Sequence, residues 1–278
     1  LKADIGVLTA ITPEHMEFFS NLDAVAREEL TISELSDELF INSSFVDAKY
    51  LENLKFVDYG HESKFLKNAK TFKNKSPLSL QYSASAAIAI AEYLGMDQTT
   101  IKSGVEKIES VNGRMNQLKG IKNSIILDDT YNSSPEAAKA SLDFLCGLDA
   151  PQRIALLGNM NELGSHSKDA HASIGDYCNP KKLDLVVTLG PDSNTYLAEH
   201  AEKAGCKVVR TKTPIEAAAV IKENLKNGAV ILAKGSQNGV FAEEAVKKLL
   251  ENESDIKLLV RQSDIWMKKK QALLKNNK

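Results

Sequence analysis

Two acids, Asp128 and Asp129, stand directly behind the apolar run Ile125-Ile126-Leu127 and ahead of Thr130-Tyr131-Asn132-Ser133-Ser134-Pro135. The run reads as a buried strand whose carboxyl end opens into acid, hydroxyl and amide groups. In open α/β sheets ligands sit beyond the carboxyl ends of strands, so binding chemistry is expected here. Ser133 or Ser134 can cap a helix that Pro135 opens at its first position. Taken alone, the pattern also fits an ordinary strand-to-helix turn with a solvated acidic pair. A second candidate is His15 in Thr12-Pro13-Glu14-His15, where Thr12 and Pro13 predict a helix start. A lone histidine there serves for capping or packing more often than for ligation. The run Arg27-Glu28-Glu29 lies on a helix predicted over 21–35 and reads as its solvated face. No G-x-x-x-x-G-K-[ST] phosphate loop occurs, and Lys234-Gly235-Ser236 lacks the preceding glycine and spacing to replace it.

The elements that must position these groups fall into two patterns. From Gly113 onward, strand candidates at 124–128, 153–157, 183–189, 207–210 and 229–233 alternate with amphipathic helices near 135–147, 167–177, 192–204 and 214–226. That alternation predicts an α/β fold with a mostly parallel, Rossmann-like sheet covered on both faces. Before Gly113, strands are expected at 5–11, 38–41 and 54–59, and only loops and short pieces at 60–77. An Ala-rich stretch at 79–94 suits a buried helix, and Asp97 or Thr99 starts another that runs to about Val111. Asn112-Gly113 marks the boundary between domains 1–112 and 113–278, in keeping with a length of 278 residues. The stretch 242–278 reads as helical, with Lys268-Lys269-Lys270 on a solvated face.

Composition narrows the partners. A formal net charge of -2 provides no field to attract nucleic acid. No apolar run approaches the length of a membrane span. Cys146, Cys178 and Cys206 are odd in number and lack metal-ligand spacing, which fits reduced thiols in the cytoplasm. The chain starts without Met, straight into a strand-like run, so the expectation is a chain entered midway through a domain.

Five blocks in order resemble the Mur ligases, the ATP-dependent amide ligases of peptidoglycan synthesis: Ala10-Ile-Thr-Pro-Glu-His-Met-Glu-Phe-Phe19, Gly113-Arg114, Asp128–Pro135, Leu157-Gly-Asn-Met-Asn-Glu-Leu-Gly164 and Lys234-Gly-Ser-Gln-Asn-Gly239. The likeness is greatest to the branch that adds D-alanyl-D-alanine to UDP-N-acetylmuramoyl-tripeptide. It implies the later part of the central ATP-binding domain followed by a Rossmann-like carboxy-terminal domain, hinged near 111–114, with ATP between them. The phosphate loop and the UDP-sugar domain would then belong to a missing amino-terminal half, in cis or in trans. The implied chemistry is transfer of the ATP γ-phosphoryl group to a carboxylate and attack of an amine on the acyl phosphate. Such catalysis is mostly positioning and neutralisation by Mg2+ and cationic groups. By the same resemblance His15 would help bind metal, Arg114 would contact ATP phosphate and Asp129 the ribose. Tyr131 and Asn132 would lie beside the nucleotide, Tyr131 against the adenine face. Asn159, Lys234 and Ser236 would meet substrate. A monomer free of nucleic-acid and membrane partners is expected.

The sequence departs from the family at three places. Related ligases carry a carbamylated lysine in the helix after the histidine motif, and Glu29 falls at that position. Glu29 offers the same charge on a shorter stem, so it is expected to replace the carbamate at the metal; a solvated helix face is the other reading. Asn159 stands where the family has aspartate, and the His-Asn pair before the Ala-rich helix is absent, with Ser79-Leu80-Gln81 in that region. Folylpolyglutamate synthase and other amide ligases share the implied architecture. A non-catalytic binding or assembly module fits the missing phosphate loop.

Overall fold

The computed structural model describes residues 2–13, 16–72 and 76–276. The chain packs as two compact units, Leu1–Glu109 and Ser110–Lys278.

The first unit holds a parallel sheet of β1 (Ala3–Leu8), β2 (Ser36–Ile41) and β3 (Val57–Asp58), in that order. Helices α1 (Leu22–Glu29) and α2 (Ile32–Leu35) join β1 to β2, and α3 (Lys64–Phe72), α4 (Leu78–Tyr93) and α5 (Gln98–Glu106) follow β3. Alternate residues of β2 face opposite sides, as the two-residue strand period requires. Phe40 packs with Phe65, Ile88 and Ile101, and Leu39 and Ile41 pack with Leu8, Ile11 and Ala26. In the Ala-rich α4, Ala84, Ser85 and Ala89 are buried, and Ser85 Oγ donates to the Tyr59 carbonyl at 2.5 Å. The single helix expected over 21–35 is two, because the Thr31 N–H turns back to the Glu28 carbonyl at 3.1 Å and ends α1. No helix follows Pro13 among the described residues; Met16–Phe18 form a turn. The nine-residue helix α3 lies where only loops and short pieces were expected. Ser63 Oγ accepts from the Leu66 N–H at its start, and Phe65, Leu66 and Ala69 supply its buried stripe between lysines.

The second unit is a six-stranded sheet ordered β4-β5-β9-β6-β7-β8. The strands are β4 (Asn116–Gly120), β5 (Ser124–Asp129), β6 (Arg153–Gly158), β7 (Leu185–Leu189), β8 (Val208–Thr211) and β9 (Val230–Lys234). All neighbours are parallel except β4 with β5. That pair was not foreseen. It closes through Lys122 and Asn123, both at positive φ (55° and 53°), the backbone a tight hairpin turn needs. Connecting helices are α6 (Pro135–Gly147), α7 (Ser167–Tyr177), α8 (Ala198–Lys203), α9 (Pro214–Asn224), α10 (Glu243–Leu249) and α11 (Asp264–Asn276). Strand side chains alternate between two cores. Ile126, Ile154, Leu156 and Ile231 meet α9 and α10, whereas Leu127, Ala155, Leu157 and Leu232 meet α6, α7 and α8. The continuous helix expected over 242–278 is interrupted: Leu250 leaves α10 with ψ 142°, a short 3-10 helix spans Glu253–Leu258, and α11 begins only at Asp264.

Candidate functional site

The chemistry-bearing blocks of the second unit converge at the carboxyl ends of β5, β9 and β6. Asp129 pairs with Lys234 across neighbouring parallel strands, and Lys234 in turn with Leu157. Lys234 Nζ lies 2.7 Å from Asp129 Oδ2 and donates to the Asn132 carbonyl at 3.1 Å, with its side chain 2% exposed. Asp129 also accepts from Ser141 Oγ of α6 (2.7 Å) and from the Met115 N–H (3.2 Å). In this structure Asp129 and Lys234 therefore satisfy each other and neither faces solvent.

Ser236 is wholly buried and ties three loops together. Its Oγ donates to the Ser133 carbonyl (3.3 Å) and accepts from the Asn161 N–H (3.0 Å), and its N–H donates to the Asn159 carbonyl (3.0 Å). The Asn159 side chain accepts from the Ser193 N–H at 2.9 Å, beyond β7. Asn159, Lys234 and Ser236 thus act here as struts between loops. The Asn132 side chain is half-buried while its carbonyl serves Lys234. Ser134 occupies the cap position of α6 without a side-chain hydrogen bond, and Pro135 opens the helix.

Burial of Asp128 pushes its carboxyl up to about 6, against hydrogen bonds from Thr130 and with Glu243 and Asp129 adding like charge. Its Oδ1 accepts from Thr130 Oγ1 at 2.6 Å, while Oδ2 is buried without a hydrogen-bond partner.

Tyr131 and Gln237, from the loops that follow these residues, line an open cleft of about 660 Å³. One side carries Arg114, whose guanidinium carbon sits 4.4 Å from the centre of the Tyr131 ring, and Tyr131 is 46% exposed. The other side carries Val260, Arg261 and Trp266. Gly113 lets the two sides meet. It holds φ 71°, and a Cβ there would stand 2.7 Å from Val260 Cγ1 and 3.1 Å from the Tyr131 nitrogen. An exposed cation stacked on an aromatic face offers a flat surface and a positive charge together, a combination suited to a base and its phosphates.

Several contributors lie outside the blocks read from sequence. His171 on α7 is buried; its Nε2 accepts from the Met160 N–H (2.9 Å), so Nδ1 carries the proton and donates to the Ser167 carbonyl (2.8 Å). Burial holds this imidazole below its ordinary range. Glu243 of α10, also buried, takes Arg261 and Lys270 at 2.8 and 2.9 Å. Lys270 is 1% exposed and also reaches Glu244 at 2.6 Å, so the lysine run expected on a solvated face has one member inside. Its carboxylate partners explain the burial. No local signal marked Arg261 or Ser141.

In the first unit Glu29 is exposed in the last turn of α1. His15 and Glu14 lie outside the described residues. Among the described residues no group of three or more His, Cys, Asp or Glu side chains is placed to hold a metal ion. No helix among them is long and apolar enough to cross a membrane.

Comparison with known proteins adds the family. The model for the Mur ligase middle domain matches residues 1–97, and that for the Mur ligase glutamate ligase domain matches 113–237. A UDP-N-acetylmuramoyl-tripeptide–D-alanyl-D-alanine ligase from Haemophilus influenzae is 35% identical over 161 residues, covering 56% of this chain and 34% of that protein. Its counterpart from Synechocystis is 34% identical, covering 63% and 38%. The chain thus spans little more than a third of these relatives' length. Among solved structures, MurF ligase from Thermotoga maritima in complex with ADP superposes with TM-score 0.71 at 21% identity, over 91% of this chain and 62% of that one. MurF from Acinetobacter baumannii gives 0.70 at 21% identity, over 90% and 60%. These two likenesses concern the fold.

Proposed function

The chain belongs to the Mur ligase family, and on that footing we propose that it is the later portion of a cytoplasmic ATP-dependent ligase that adds D-alanyl-D-alanine to a UDP-N-acetylmuramoyl-tripeptide through an acyl phosphate. The remaining portion, with the phosphate loop and the UDP-sugar domain, acts with it in cis or in trans, and the assembled enzyme is a monomer. The observation that carries the reading is the Arg114–Tyr131 stack in an open cleft beyond β5. ATP, when bound, supplies the γ-phosphoryl group that activates the carboxylate.

In this reading the Tyr131 ring takes the adenine face and Arg114 offsets phosphate charge. Asn132 lies alongside. Asp129, Lys234, Ser236 and Asn159 act from behind the cleft, through the loops they tie together. A direct contact from Asp129 to ribose, or from Lys234 or Ser236 to substrate, requires those ties to open. The described residues do not assemble a magnesium site, so no step is assigned to the metal. Glu29 in place of a carbamylated lysine, with His15, is the metal pair this reading assigns.

Phosphate release tests the function, using this chain, ATP, magnesium and both substrates, with and without the amino-terminal portion of a homologous ligase. Release that needs every substrate and both portions, and falls at least tenfold in Arg114→Ala, is the expected result. Release indifferent to D-alanyl-D-alanine rejects the reaction, and release indifferent to Arg114→Ala rejects the cleft.

A further inference from the structure

The segment after α10 forms one wall of the Tyr131 cleft, and its contacts converge on the residues that shape the opposite wall. Arg261 sits at a left-handed backbone position, φ 55°, which a residue with a side chain keeps only where its surroundings hold it. Its Nε and Nη2 each lie 2.8 Å from a different carboxylate oxygen of buried Glu243. The same fork also reaches the Tyr131 loop: Nη1 donates to the Tyr131 carbonyl at 3.0 Å, and Nη2, shared with Glu243, to the Thr130 carbonyl at 2.5 Å. A planar guanidinium can serve a carboxylate and two carbonyls at once; a lysine ammonium on its flexible stem cannot span them. Lys270 Nζ also holds Glu243, 2.9 Å from the Oε1 that Arg261 Nε reaches, so the acid is held by two cations. Val260 closes over Gly113, the residue before Arg114. From α11, Trp266 reaches the same cleft and packs edge-on against Phe241 with ring centres 6.4 Å apart.

A segment that only stabilised the unit would not need its arginine on the Tyr131 backbone or its tryptophan on the cleft surface. We propose that 259–270 is a functional wall of the nucleotide cleft. Arg261 is a positioning residue that sets the loop carrying Tyr131, and Trp266 presents its ring to the base of a bound purine nucleotide. The inference rests on the nucleotide reading of the cleft given above.

Trp266 is the single tryptophan of the chain, so its emission reports this wall alone. ADP is titrated into the 278-residue chain and followed by calorimetry and by tryptophan fluorescence. The expected result is a saturable emission change with the same midpoint as the heat. Trp266→Leu is expected to weaken ADP binding about tenfold, the scale of a lost stacking contact, with its thermal midpoint retained. Arg261→Lys, which keeps the charge and loses the fork, is expected to weaken binding by a similar factor and to shift the emission maximum of the free protein. Binding heat with unchanged emission, together with unchanged affinity in Trp266→Leu, overturns this proposal and leaves the nucleotide reading standing. Neither heat nor emission change, with the amino-terminal portion of a homologous ligase also present, overturns both. If Arg261→Lys fails to fold, the Trp266→Leu affinity decides.

Discussion

Lys234 and Asp129 sit side by side at the ends of adjacent strands, both almost fully buried. Removing one member of such a pair leaves a charge in a low-dielectric interior, which costs more than the pair contributes. Lys234→Met is therefore expected to lower unfolding free energy by roughly 3–5 kcal/mol. Adding Asp129→Asn should recover much of that loss, and urea titration of both variants checks it. Asp128 provides a pH test. Its folded value, about 6, is raised above the ordinary 3.8, so the folded state binds more protons than the unfolded one between these limits. Stability should accordingly fall as pH rises across that window, by up to roughly 1.4 kcal/mol per pH unit. Asp128→Asn should remove this slope, and urea midpoints taken from pH 4 to 7 would expose a slope that persists. As residues, the Asp-Asp and Lys-Gly-Ser blocks were legible as chemistry in the sequence. That Lys234 spends its charge on Asp129 was not, since the two are 105 positions apart.

At the level of elements, the loop after β6 depends on α7 through one imidazole. His171 accepts from the Met160 N–H and donates to the Ser167 carbonyl, an arrangement available only to the neutral ring. Its folded-state value is depressed, so the stability it contributes is present above its unfolded range and is lost as pH falls below it. His171→Ala should leave the Met160 amide without its acceptor, costing about 1–3 kcal/mol. Hydrogen exchange should show faster exchange at Met160 while the amides of β7 stay protected; unchanged Met160 protection would refute the tie. The helix α11 is anchored by the same kind of logic. Lys270→Met strips one cation from Glu243 and Glu244 while Arg261 remains, and a loss of about 3 kcal/mol is expected in urea. Periodicity found α6 and α7 at their observed limits because each carries a local apolar stripe. It missed α3, whose stripe is short and set among lysines, and β4, whose pairing is created by the turn at Lys122-Asn123.

At the scale of the whole molecule, each unit has its own sheet and its own apolar clusters on both sheet faces. Residues 110–278 prepared alone should keep helical circular dichroism and unfold in one cooperative step, since both of its apolar clusters share one sheet. A broad, non-cooperative transition would contradict an independent core. The sequence by itself determined the α/β class, the five parallel strands of the second unit and the polar blocks that stand at their carboxyl ends. Those features are written in local patterns: apolar runs of strand length, helical stripes and the residues that cap and break them. Only the tertiary structure decided which polar groups stay available. Asp129, Lys234 and Ser236 turned inward to tie loops, Arg261 took carbonyls 130 and 131 positions away, and Lys270 went inside while its neighbours Lys268 and Lys269 stayed out. The physical reason is that a charge is buried or exposed according to the partner it meets, and these partners come from strands and helices far apart in the chain.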